Sequence, residues 1–126
     1  MARLSLTVQS PPGFWPSLAL TANAADFTWT AAGADFADGF SFVNTGREIL
    51  LARNDNAVAK TITITSVVDE FNRLGHITSY SMIQNDLAWF GPFKPSGWNQ
   101  AGTNLVYGAA NVADMYLVVC RLPILT

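Results

Sequence analysis

The densest run of chemically capable side chains is "WFGPFKPSGWNQAG", Trp89 to Gly102, with two Trp, two Phe, two Pro and three Gly. Aromatic rings on a Gly/Pro framework can stack on sugars, wall an active site, anchor an interface or close one end of a β-fold. A sugar platform built on Trp15, Trp29, Trp89 and Trp98 needs amides or carboxylates for the hydroxyls, and only Asn99 and Gln100 adjoin Trp98. Nucleophilic catalysis needs a nucleophile touching a base. The single histidine, His76, follows "RLG" at a loop exit, and no G-x-S-x-G elbow occurs. One His and one Cys cannot build a zinc site, and "GADFADG" with Asp35 and Asp38, even beside Asp26, lacks the alternating ligands of a calcium loop. Paired-carboxylate hydrolysis fares no better, since Asp69 and Glu70 are the only adjacent acids. The lysine of "GPFKPSG" sits between prolines that remove the N–H donors a phosphate cradle uses. The expectation is therefore a non-enzyme with no cofactor, no metal and no small-molecule substrate, acting through a binding surface.

Composition points the same way. Charged residues make up 13% of the 126 positions against about 25% in soluble domains, while 50% are hydrophobic. A domain this small has a high surface-to-volume ratio, so part of its surface is expected to be covered by copies of itself or by a partner. Net charge is −2 and the basic residues are scattered, which argues against nucleic acid. Cys120 is the only cysteine, in "MYLVVCRL", and reads as a small buried apolar residue. Residues 4–25 carry no charge, but Gln9, Ser10, Pro11, Pro12, Gly13 and Pro16 break the run. Neither a signal peptide nor a membrane span is expected from it.

The elements that must position these residues are strands, because the dominant period is two. In "KTITITS" the threonines face one way and Ile62 and Ile64 the other. "REILLARN" (Arg47 to Asn54) precedes it across "DNAVA", which predicts a hairpin. "GFSFV" puts Phe40 and Phe42 on one face, and "MYLVVCRL", apolar on both, suits a central strand. "SLALTAN", "FTWT", "HITSYSM", "LAWF" and "NLVYG" are shorter strand candidates. Only "SVVDEFNRLG" has helical spacing, predicting one or two turns between Ser66 and Gly75. The fold class expected is all-β: an antiparallel, jelly-roll-like sandwich of eight to nine short strands, with at most one short helix. Residues 18–126 form its single domain. Residues 1–17 form an extended arm, its two aromatics Phe14 and Trp15 set beside Pro16. The arm either packs on a neighbouring subunit or wraps its own sandwich, and the domain is expected to fold without it.

"FSFVNTGREILLARNDNAVAKTITITS", "RLGH", "WFGPFKPSGWNQAGTNLVYG" and "MYLVVCRL" together span roughly Phe40 to Leu122. They resemble a group of small tailed-phage virion proteins with an "N-G-x-E-[IL]-L-x-x-x-N" strand, a "T-[IV]-T-[IV]" partner, an "F-G-P-[FY]" turn and a "W-x-Q/D-x-G" turn. This chain has "RLG" where "GR" is usual. The resemblance implies a capsid decoration, or cement, protein: a homotrimer on the outer capsid surface, bridging copies of the major capsid protein. Another head–tail or tail-fibre role is the alternative within that group, and a carbohydrate-binding module is the alternative outside it. Under the leading expectation Phe14, Trp15, Phe93 and Trp98 are the partner-binding residues.

Overall fold

Period-two patterning becomes strands almost wherever it occurs. The computed structural model describes residues 3–11, 26–32, 39–110 and 115–123. Its strands are β1 (Leu4–Ser5), β2 (Val8–Gln9), β3 (Thr30–Ala32), β4 (Phe40–Val43), β5 (Glu48–Asn54), β6 (Lys60–Thr65), β7 (Ile77–Met82), β8 (Leu87–Phe90), β9 (Leu105–Ala110) and β10 (Met115–Arg121). One sheet runs β1-β4-β9-β6-β7 and the other β2-β10-β5-β8, with β3 also paired to β10. The two sheets sandwich a core of Phe40, Phe42, Ile62, Ile64, Met82 and Val106 against Leu50, Ala52, Met115, Leu117 and Val119. The chain is an all-β sandwich. Strand β10 is central and buried on both faces, as its unbroken apolar run predicts.

The sheets are mixed rather than purely antiparallel, and the N-terminal segment is the reason. Leu4 pairs parallel with Phe40, and Val8 pairs parallel with Val119. Residues 3–9 thus add a short strand to each sheet and cross between them. Leu6, at the crossing, enters the core and donates its N–H to the Ser41 carbonyl at 2.8 Å. The side-chain amide of Gln9 then holds Thr28 from both sides, donating to its carbonyl at 2.8 Å and accepting its N–H at 2.9 Å. Of the two placements expected for the arm, this part wraps its own sandwich. Phe14, Trp15 and "SLALTAN" lie outside the described residues.

Two expectations are corrected. Strands β5 and β6 do not form a hairpin: β5 pairs with β10 and β8, and β6 with β9 and β7. Fully buried Asn54 accounts for the crossing between sheets. Its side chain donates to the carbonyls of Met82 and Val58 and accepts the Asn56 N–H, so the chain turns over the core instead of back along its own sheet. The helical spacing of "SVVDEFNRLG" yields no helix either. The Asp69 carboxylate captures the N–H groups of Phe71 and Arg73, and Asn72 sits at φ 59°. Such local side-chain bonds compete with helical ones. The only helix among the described residues is α1 (Pro95–Trp98), in the expected "KPSG" turn, where proline suits a first helical turn.

Candidate interaction surface

Residues 89–102 form a rigid corner at one end of the sandwich. Buried Asn44 holds it by donating to the Phe93 carbonyl and to Asn99 Oδ1, each at 2.8 Å. Gln100 donates its side-chain N–H to the Thr65 carbonyl at 3.2 Å. Gly91 has φ +111°, and a Cβ there would lie 2.9 Å from the Glu48 carbonyl, so the turn requires glycine. The expected contact role of Phe93 is corrected by its burial. It is 1% exposed, tilted on Phe42 at 5.7 Å and edge-on to Trp98 at 5.1 Å. Trp98 is half-buried and closes the core over Phe93. Trp98→Ala is expected to lower unfolding free energy by about 1–2 kcal/mol through the lost ring pair and partial burial, read as a shifted denaturant midpoint with unchanged slope.

Beside this corner, fully buried Glu48 accepts the N–H groups of Thr45 (2.6 Å) and Arg47 (3.2 Å), the Thr45 hydroxyl and Arg121 Nε. Burial pushes its carboxyl up, but the Thr45 N–H, Arg121, the Thr45 hydroxyl and the Arg47 N–H together hold it below its ordinary 4.5. It is a fixed anion tying the β4–β5 turn to the end of β10. His76 is equally committed. Its Nδ1 accepts the Ser66 N–H at 3.0 Å, while the buried Ser66 hydroxyl accepts the Gly75 N–H at 2.9 Å. This pair closes the 66–76 loop, with the Ser66 hydroxyl oxygen 3.5 Å from His76 Nδ1. Among the described residues no three His, Cys, Asp or Glu gather as a metal site, and Asp35 and Asp38 lie outside them.

Several large apolar side chains stay exposed. Strands β7 and β8 are edge strands on the same side of the sandwich, bridged by the Tyr80–Phe90 edge contact at 5.4 Å. Register decides the faces of β8: Ala88 and Phe90 oppose Ala52 and Leu50 on the core side, so Leu87 and Trp89 point outward. They are 62% and 76% exposed, joined on this side by Tyr80 and Ile83. Across residues 77–93 the only charge is Asp86, whose carboxylate accepts the Ile83 N–H at 2.9 Å. Ile49, Trp89, Phe90, Gly91, Pro92 and Leu122 line a groove of about 410 Å³ at the end of β8. No protein-family model, curated protein or solved structure matches this chain. The groove's only side-chain polar atom is the Trp89 indole N–H, a poor match for a hydroxyl-rich sugar. Trp29 is stacked against Arg53 at 5.1 Å instead of standing free.

A second apolar surface is the 66–76 loop, which presents exposed Val68, Phe71 and Leu74. The Asp69–Arg73 pair at 2.8 Å, the Lys94–Glu70 pair at 2.6 Å, and the Val67 N–H to Gly97 carbonyl bond hold its backbone. These are the "helix" residues Val67, Phe71 and Leu74 almost unchanged in identity, but two of them now face solvent. Trp89 and Phe71 are exposed aromatics that the partner-binding expectation did not include. Alternation in "LAWF" carried the signal for Trp89, because it sets Leu87 and Trp89 opposite Ala88 and Phe90. Nothing local distinguishes Phe71 from a core residue.

Proposed function

We propose that the chain is a structural virion component, a capsid decoration protein that binds the outer shell as a homo-oligomer and bridges neighbouring copies of the major capsid protein. A bridge needs at least two docking surfaces, and the observation that carries this reading is two separate exposed apolar surfaces on one small, sparsely charged domain. One is the β7–β8 side with Trp89 and Leu87; the other is the loop with Phe71 and Leu74. Exposed apolar groups gain about 25 cal/mol per Å² when a partner covers them, and oligomerisation multiplies a modest contact through avidity. The resemblance of the Phe40–Leu122 segments to small phage virion proteins supports the same class. The loop suits the capsid contact, since its polar bonds fix the backbone beforehand and reduce the ordering entropy lost on docking.

Mass spectrometry of purified virions from the encoding phage tests this class of function. The chain should be present in the high copy number of a shell protein. Absence from the particle ends the reading, and a handful of copies moves it to the head–tail or tail region. Phe71→Asp places a charge in the loop contact without touching the core. Its co-sedimentation with undecorated capsids is expected to fall at least tenfold, about 1.4 kcal/mol or more, with unchanged circular dichroism.

A further inference from the structure

We infer that the outer edge of β8 pairs with β8 of a second copy, antiparallel about a two-fold axis centred on Ala88, joining the two β8-containing sheets. The backbone decides which groups are free. Asn54 donates its N–H to the Asp86 carbonyl at 3.1 Å, which makes this a hydrogen-bonded pair. Hydrogen-bonded and open pairs alternate along an antiparallel ladder. Ala88 and Phe90 therefore bond to β5, while Leu87 and Trp89 turn their N–H and C=O groups to the open edge. An unpaired edge of this kind is a template for another strand unless charge, proline or a bulge blocks it. Strand β7 carries such a block: its pairing with β6 is irregular between Ile62 and Ile64, and Ser79 lies at φ 50°. Residues 87–90 carry no block of this kind.

Charge and register favour a second copy as the occupant. With Ala88 opposite Ala88 of the second copy, Leu87 faces Trp89 in two symmetric hydrogen-bonded pairs. Each pair sets an indole against an isobutyl group on the outward face, a favourable cross-strand combination. Asp86 is the one charge on this stretch, and in that register the two Asp86 residues are offset by about 14 Å along the strands. No like charges meet. The edge is thus complementary to itself, as a two-fold interface must be. A two-fold pair also makes the assembling unit a dimer, in contrast to the trimer implied by the resemblance. The pairing belongs to the isolated chain and does not depend on the virion reading, so the two fail separately.

Light scattering on the full chain is expected to give twice the 13.6 kDa chain mass. Trp89→Lys and Leu87→Lys, each checked for native circular dichroism, should raise the dimer dissociation constant at least tenfold, about 1.4 kcal/mol or more. Register is read by cysteine pairing. A mixture of Leu87→Cys and Trp89→Cys chains should form an intermolecular disulfide. Either variant alone should not, because like positions lie on the diagonal at about 7–8 Å. A monomer at every concentration, a trimer indifferent to both lysine variants, or a mixture that fails to cross-link overturns the inference.

Discussion

A Glu48→Ala protein is expected to lose about 3–5 kcal/mol of unfolding free energy, measured by chemical denaturation at neutral pH. Domains have only about 5–15 kcal/mol in total, so much of the native margin would go. The loss arises less from an attraction removed than from donors left without an acceptor. The Thr45 and Arg47 N–H groups, the Thr45 hydroxyl and Arg121 Nε all converge on this one carboxylate. An unmatched buried donor costs about 1–3 kcal/mol. Alanine supplies no oxygen and opens a void at the end of the core. Glu48→Gln keeps the shape and one acceptor, so its loss should be smaller, although its amide N–H₂ then faces Arg121. A Glu48→Ala protein as stable as the wild type would mean that the carboxylate is not the node holding the β4–β5 turn to β10.

The same group sets the acid limit of the fold. Its folded-state pKa lies below the ordinary 4.5, so the unfolded chain binds the proton first as pH falls. Its stabilisation is present above about pH 4.5 and is lost as pH drops through the folded value. Asp69 is also lowered, by the Arg73 N–H and then the Arg73 side chain, and Glu70 is held at about 2, chiefly by Lys94 and then Ser96. Glu70 is exposed, and its pair with Lys94 contributes little to the fold. Stability should therefore be flat near neutrality and decline from pH 4.5 downward. The gap between wild type and Glu48→Ala should narrow over that window.

Strand positions were legible because a half-buried strand must alternate, and "FSFV", "KTITIT" and "LAWF" do so in register with the core. Which strands share a sheet was less legible. The β5–β6 link reads as a turn, and it is one, but the side chain of Asn54 directs it across the core to Met82. Long-range bonds of that kind have no sequence period. The same holds for Asn44, which reaches Phe93 and Asn99 from the far side of a turn. Asn44, Glu48, Asn54, Gly91, Phe93, Trp98 and Gln100 all hold the corner, the core or the turns. Phe93 was misplaced for an instructive reason. In a Gly/Pro turn an aromatic reads as surface, yet Asn44 and Phe42 draw this ring inward.

Deleting residues 1–11 is expected to abolish the cooperative fold, where the sequence suggests a detachable arm. The segment contributes β1 and β2, one to each sheet, and its Leu6 side chain fills core space between them. Emptying a buried leucine site costs about 2–5 kcal/mol. The deletion also removes the Leu4 and Leu6 N–H bonds to Gly39 and Ser41, the Arg3 guanidinium bond to the Gly108 carbonyl at 3.2 Å, and both Gln9 bonds to Thr28. At about 0.5–1.5 kcal/mol each, these bring the total loss into the range of a small domain's entire stability. The bared edges of β4 and β10 would then invite aggregation. Near-UV circular dichroism and a thermal scan of the truncated chain provide the test, with Leu6→Ala as the graded control at about 2–5 kcal/mol. A truncated chain with a native spectrum and an unshifted melt would show that the sandwich closes without its N-terminal crossing. The expected result, a lost transition beside a merely lowered one for Leu6→Ala, would assign these residues to the fold, since they complete both sheets and fill the core between them.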